Sequence, residues 1–298
     1  MTEPAVETIG LTKDYGAGHG VFGLDLEIRA GEIFGFLGPN GSGKTTSMRM
    51  LVGLSRPTAG RARVLGLDIV TGSLELRRRV GFLAGDFGMY RKLTGAAMLE
   101  YIARLHGGVD RTQITALAER FDAQLDRPLG DLSTGNRQKI GLIAAFMHEP
   151  ELLILDEPIA GLDPLVQKRF HELLAEVRAD GRTVFLSSHT LSEVDRVADR
   201  IAILRAGRLV ALDTLAHLRS IAVRRLDIEF AAPPPIDTFR SLAGVREAEL
   251  TGNTMHIAFE GSADPLVKAA AAHEVVEIRS RENDLEDVFL SYFQEPAA

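Results

Sequence analysis

The segment Gly38-Pro39-Asn40-Gly41-Ser42-Gly43-Lys44-Thr45 constrains the fold of this chain more than any other. It fits the pattern G-x-x-x-x-G-K-[ST], which carries structural meaning when it links a strand to a helix. Both flanks are present. Glu32-Ile33-Phe34-Gly35-Phe36-Leu37 is an apolar run ended by glycine and reads as a buried strand. From Thr45 to Leu54, the positions of Met48, Leu51 and Val52 place apolar side chains on one helical face. Glycines at Gly38, Gly41 and Gly43 let successive amide groups curl around phosphate oxygens, and the following helix start adds free N–H donors. In such a loop the lysine, Lys44, reaches the β- and γ-phosphates, and the Thr45 hydroxyl ligates Mg²⁺. The loop also accounts for part of a glycine excess, 29 residues of 298, where about 7% is usual.

A second segment supplies the acidic chemistry this loop requires. Leu152-Leu153-Ile154-Leu155 is an apolar strand closed by Asp156-Glu157-Pro158. Asp156 at the strand end suits a Mg²⁺-holding role. Glu157 points elsewhere and suits a general base acting on water. Taken alone, the segment is equally a strand followed by a polar turn. Downstream of the phosphate loop, the catalytic reading is favoured.

Strands and helices alternate along the chain: candidate strands Arg63–Leu65 and Val80–Leu83, helical spacing over Thr94–Phe121, and a helix over Asn136–Met147. Helix Leu165–Ala179, strand Thr183–Leu186, helix Leu191–Val197 and strand Ile201–Leu204 follow. This alternation predicts an α/β fold with a parallel sheet. Around Ala231-Ala232-Pro233-Pro234-Pro235 the texture shifts to shorter units: strand, helix, two strands around Gly252-Asn253, helix, strand, helix. The expected organisation is a domain over 1–220 and a small α+β domain over 221–298.

Leu132-Ser133-Thr134-Gly135-Asn136-Arg137-Gln138 opens a helix. Ser133 is an N-cap on one reading and part of a second anion site on the other. Two phosphate-gripping devices in one chain suit a symmetric dimer, in which each triphosphate lies between one subunit's loop and the other's helix start.

At this point the chain resembles the nucleotide-binding subunit of an ATP-binding-cassette (ABC) transporter over Ala5–Leu218. Gly38–Thr45, with Thr46 beside it, match Walker A; Leu132–Gln138 match the LSGGQ signature; Leu153–Glu157 match Walker B. Ala160-Gly161-Leu162-Asp163 resembles the D-loop, whose Asp couples the two sites. Ser187-Ser188-His189 resembles the switch loop, with His189 on the γ-phosphate. Tyr15 stands where the family stacks an aromatic on adenine.

The resemblance implies a P-loop NTPase cassette with a mixed core sheet, an antiparallel β subdomain and a helical subdomain. It implies ATP and Mg²⁺ as ligands, a homodimer on ATP binding, and a separate transmembrane permease. The subunit would be cytoplasmic, peripheral on the inner face of the membrane. Two departures stand out. The signature reads Ser133-Thr134-Gly135-Asn136 in place of SGGQ. After Val80-Gly81-Phe82-Leu83, where the family places a glutamine near Gly85, the chain has Ala84-Gly85-Asp86-Phe87. Asp86 is then the candidate for the water-mediated Mg²⁺ contact, a polar loop residue being the alternative. Gly135–Lys139 and Asp284–Leu290 resemble the daunorubicin and multidrug exporters, so the implied cargo is drug-like.

Composition bounds the rival readings. A net charge of −7 gives no basic face for nucleic acid. The absence of cysteine excludes thiol catalysis and Cys-ligated metal. The start, MTEPAVETIG, lacks the basic and apolar regions of a secretory signal, and nowhere do about 20 apolar residues run together. A DNA- or ribosome-acting ATPase of the same superfamily would carry long coiled coils or two cassettes. Lys44 and Ser133 are only 133 − 44 = 89 positions apart, without sustained heptads. A regulatory cassette that powers no transport is the other rival, and Glu157 with His189 argue against a dead ATPase.

Overall fold

The computed structural model describes residues 3–85, 90–221 and 224–281. The chain divides into two compact units, Met1–Leu212 and Asp213–Ala298.

The first unit opens with β1 (Val6–Asp14), β2 (Gly20–Ile28) and β3 (Ile33–Leu37), followed by α1 (Lys44–Leu51), β4 (Ala59–Val64) and β5 (Leu67–Asp68). Next come α2 (Ser73–Arg79), β6 (Val80–Leu83), α3 (Gly95–Leu105), α4 (Arg111–Phe121) and α5 (Thr134–Phe146). It continues with β7 (Leu152–Leu155), α6 (Pro164–Ala179), β8 (Thr183–Ser188), α7 (Leu191–Asp195), β9 (Arg200–Arg205) and β10 (Arg208–Thr214).

Two sheets form. One is antiparallel in the order β2-β1-β4-β5, and its strand β2 alternates buried with more exposed positions over most of its length, as a half-solvated sheet requires. The other has the order β10-β9-β3-β8-β7-β6, with β3, β6, β7, β8 and β9 running parallel. Every residue of β3, β7 and β8 is buried, which is why these strands read as continuous apolar runs. A shared core joins the two sheets: Val6, Leu24 and Val64 of the antiparallel sheet pack with Phe34, Phe36 and Phe185, and with Met48 and Leu51 of α1.

The helical spacing over Thr94–Phe121 resolves into two helices, α3 and α4, because the chain breaks at Gly107-Gly108. There the Asp110 side chain caps α4 by accepting the Thr112 N–H at 2.9 Å.

Parallel strands place their carboxyl ends on one edge, where open α/β sheets bind ligands. Leu37 pairs with Ser188 and Leu155 with Leu186, so the loops after β3, β7 and β8 emerge side by side.

The second unit holds α8 (Leu215–Ile221), β11 (Arg224–Phe230), α9 (Ile236–Arg240), β12 (Val245–Thr251), β13 (Thr254–Phe259), α10 (Asp264–Ala270) and β14 (Val275–Arg281). Its antiparallel sheet, β12-β13-β11-β14, buries Ile228, Phe230, Met255, Ile257 and Phe259 with Phe239 of α9 and Leu266 of α10. The last helix expected there lies outside the described residues.

Candidate active site

The loop after β3 turns into α1 at Gly43, whose φ of +108° is open to glycine alone and whose absent Cβ would lie 2.8 Å from Val21. Folded back over the loop, the Lys44 ammonium donates to the carbonyls of Gly38 at 2.6 Å and Pro39 at 3.3 Å. Asn40 and Gly41 form the exposed tip, and Thr46 is half-buried in the first helical turn. The Ser42 hydroxyl is buried against Gly38 with no hydrogen-bond partner. An orphaned buried donor beside a lysine and the free amides of a helix start suits an anionic oxygen.

Asp156, 1% exposed, follows β7. Its Oδ2 accepts from Thr45 Oγ1 and its Oδ1 from Ser187 Oγ, both at 2.6 Å. No described Lys or Arg pairs with it, and a buried carboxylate without a cation is costly. Carboxylate and hydroxyl oxygens together form the hard donor set that Mg²⁺ takes, so the residues fit the ion. The backbone of Gly85, after β6, lies close by: a Cβ there would stand 3.1 Å from Asp156 Oδ2. Asp86 itself lies outside the described residues.

Glu157 adopts a left-handed backbone, φ +49°, which for a non-glycine residue costs of order 1–3 kcal/mol. Three contacts hold it there. Its amide donates to Ser187 Oγ at 3.0 Å, and Gln138 Nε2 donates to the carbonyls of Glu157 and Pro158, each at 3.0 Å. The twist turns the carboxylate toward the phosphate loop. Oε2 lies 2.9 Å from His189 Nδ1, and Oε1, buried and accepting no hydrogen bond, lies 3.4 Å from Lys44 Nζ.

The structure therefore brings Lys44, Thr45, Asp156, Glu157 and His189 into one connected cluster. Ser133, Gly135 and Asp163 form a second group. Ser133 Oγ caps α5 by accepting the Asn136 N–H at 3.2 Å, and Asp163 caps α6 by accepting the Val166 N–H at 3.0 Å. That amide holds the Asp163 carboxyl below the usual carboxylate range. Gly135 packs so tightly that a Cβ would meet the Gly161 carbonyl oxygen at 2.6 Å. Asn136 gains a structural use: its side-chain amide makes paired 2.9 Å hydrogen bonds with the backbone N–H and carbonyl of Gln124. Tyr15 sits at the β1–β2 turn, 61% exposed, with Lys13 Nζ 5.4 Å from its ring centre.

Sequence reasoning did not single out Ser187 or Gln138. Both lie inside motifs legible in the sequence, and only the β7–β8 register shows that the Ser187 hydroxyl faces Asp156.

Comparison with known proteins gives a consistent picture. Residues 21–160 match the family model described as ABC transporter. The chain is 40% identical over 221 residues to the bacitracin transport ATP-binding protein BcrA of Enterococcus faecalis, covering 73% of this chain and 72% of that one. It is 39% identical to the daunorubicin/doxorubicin resistance ATP-binding protein DrrA of Streptomyces peucetius, covering 74% and 68%. With the daunorubicin resistance ATP-binding protein DrrA2 of Streptomyces coeruleorubidus the 34% identity extends over 96% of this chain and 94% of the relative. A solved structure described as the ATP-binding subunit of an ABC transporter superposes with a TM-score of 0.66 at 29% identity, covering 72% of this chain and 92% of that one.

Proposed function

Because the chain belongs to the ATP-binding proteins of ABC transporters, we propose that it hydrolyses MgATP to drive export of a drug-like molecule through a separate permease. The observation that carries the chemistry is the Glu157 carboxylate. One of its oxygens is tied to His189, and the other accepts no hydrogen bond and is ion-paired with Lys44 at 3.4 Å.

In this reading Glu157 Oε1 takes the proton of the attacking water. Lys44, the loop amides and the Ser42 hydroxyl hold the phosphates in line. His189, fixed by its contact with Glu157, marks the γ-phosphate end of the site. Thr45 and Asp156 would hold Mg²⁺, which when bound neutralises phosphate charge. Asp86 remains the candidate for a further contact to that ion, and Tyr15 for stacking on the base. Ser133 and Gly135, at the start of α5, and Asp163 would complete the nucleotide site of a second copy, so that ATP closes a homodimer over two composite sites.

No helix among the described residues is long and apolar enough to cross a membrane; in this reading a partner supplies the membrane path. An apolar groove of about 500 Å³ between α2, α3 and the end of α5 offers that partner a seat. Its rim leaves Leu54, Leu74 and Leu105 more than half exposed. Such a subunit works at the cytoplasmic face of the membrane. The relatives' names, bacitracin transport and daunorubicin resistance, support export of bulky antibiotics.

Glu157→Gln tests the chemistry. Turnover is expected to fall by about 10²–10⁴-fold, while ATP binding, read by equilibrium fluorescence, stays within twofold. Retained turnover would remove Glu157 as general base. Co-purification of the tagged chain with a multi-span membrane protein tests the transport role. ATPase activity with no such partner and no response to membranes would favour a regulatory cassette.

A further inference from the structure

We propose that Gln138 is a positioning residue for hydrolysis, and that it links the anion site at the start of α5 to the general base of the same chain. The link, though not the positioning role, rests on the composite-dimer reading above.

The geometry is specific. Gln138 projects from the first turns of α5 and directs its side-chain amide at two consecutive carbonyls, those of Glu157 and Pro158, each at 3.0 Å. Both partners are acceptors only, which fixes the amide orientation with Nε2 toward them. Glu157 is the residue whose backbone is left-handed, and its own N–H is taken by Ser187 on β8. The peptides on both sides of this strained residue are thus pinned, one by the sheet and one by α5. A side chain whose backbone is held in a sparsely populated conformation moves when either pin moves.

The same helix start grips the following residues. Gly135 touches the Gly161 carbonyl at a distance that excludes a Cβ, and Lys139 Nζ lies 4.0 Å from Asp163. From Gly135 to Lys139, little more than one helical turn contacts Glu157, Pro158, Gly161 and Asp163. The turn that would meet one nucleotide is therefore fastened to the base that would act on the other. A small displacement of α5 on binding a γ-phosphate would redirect the Glu157 carboxylate, and misplacement of a reacting group by about 1 Å can cost 10²-fold in rate. Nucleotide at one site would in this way align the base at the second.

A simple turn cap would give the same hydrogen bonds but not the same kinetics. Gln138→Glu keeps the shape and replaces the donor with an acceptor facing two carbonyls. Gln138→Lys restores a donor. The purified full-length chain is assayed for ATPase turnover, for affinity towards a non-hydrolysable ATP analogue, and for the Hill coefficient in ATP. Gln138→Glu is expected to lower kcat by about 10- to 100-fold with analogue affinity within twofold and Tm nearly unchanged, and Gln138→Lys to recover much of the loss. The wild-type Hill coefficient, approaching about 2 for two coupled sites, should fall toward one in Gln138→Glu.

Unchanged kcat in Gln138→Glu, or a loss of rate matched by losses of affinity and Tm, overturns the positioning role. A reduced kcat with an undiminished Hill coefficient overturns the link. A wild-type enzyme that turns over with a Hill coefficient of one overturns the composite-dimer reading and the link with it, while kcat still decides the positioning role.

Discussion

One hydroxyl at Ser187 joins the Asp156 carboxylate to the Glu157 backbone. It donates to Asp156 Oδ1 at 2.6 Å and accepts the Glu157 amide at 3.0 Å, and Ser187 is fully buried. Ser187→Ala removes both contacts and leaves Asp156 with the Thr45 hydroxyl as its remaining side-chain hydrogen bond. Outer-shell partners of this kind typically carry 10–100-fold in metal affinity or activity. The expected result is a Mg²⁺ half-saturation raised about 10-fold or more, read by titrating ATPase activity with Mg²⁺, with nucleotide affinity at saturating Mg²⁺ little changed. An unaltered Mg²⁺ curve would reduce Ser187 to packing. At this scale the sequence was legible where chemistry has a fixed local spacing: Gly38 through Thr45, and Asp156 with Glu157. It was silent on Ser187 and Gln138, because their partners are 31 and 19 positions away and are brought near only by strand register and helix packing.

Elements were legible in proportion to how completely they are buried. The parallel strands β3, β7 and β8 stood out as apolar runs, whereas α2 and β5 gave no signal, because a seven-residue helix with Leu76 as its one buried residue has no periodicity to detect. Helix ends proved informative in another way. His106 caps the C-terminus of α3, and its ring stacks on His148, just beyond α5, with centroids 3.9 Å apart. Burial first, and then the neighbouring His106, push the His148 imidazole down to about 4; burial lowers His106 as well. Arg78, Asp110 and Glu149 line the same recess.

The sign of the pH effect follows from linkage. A histidine lowered in the folded state is neutral there while the unfolded chain takes up a proton, so stability is complete above about pH 6.5 and is lost as pH falls toward 4. Allowing for partial solvation, the His148 contribution is on the order of 2 kcal/mol. His148→Phe keeps the stack and removes the titration, so its Tm measured between pH 7 and pH 4.5 should decline less than that of the parent. Parallel declines would mean that the pair does not set acid stability.

For the whole molecule, membership of the ATP-binding proteins of ABC transporters sets the expectation of a transmembrane partner. The sequence does not say where that partner would dock, because the groove is assembled from residues as distant as Leu54, Leu74 and Leu105. Leu74 and Leu105 stand between polar neighbours in sequence, Ser73 and Glu75, Arg104 and His106, whereas Leu54 ends the run Leu51-Val52-Gly53. Together they leave an apolar concavity next to α5, the helix whose first turns hold Glu157. A permease segment seated there would push on the same helix whose Gln138 is hydrogen-bonded to the Glu157 and Pro158 carbonyls, so docking and hydrolysis would share one lever if Glu157 is the base.

Leu74, 69% exposed on α2, is the place to test this without touching the core. Leu74→Asp sets a charge in the groove while every residue of the phosphate site stays in place. Basal ATPase activity and Tm should stay near parent values. Loss of a hot-spot side chain costs about 2 kcal/mol or more at an interface, roughly 30-fold in affinity, and here a charge is also set against apolar surface. Co-purification with the membrane partner should therefore collapse, together with any stimulation of ATPase by that partner. Undiminished co-purification would move the docking surface away from this groove, and a matching fall in basal ATPase would show that the substitution had damaged the cassette itself.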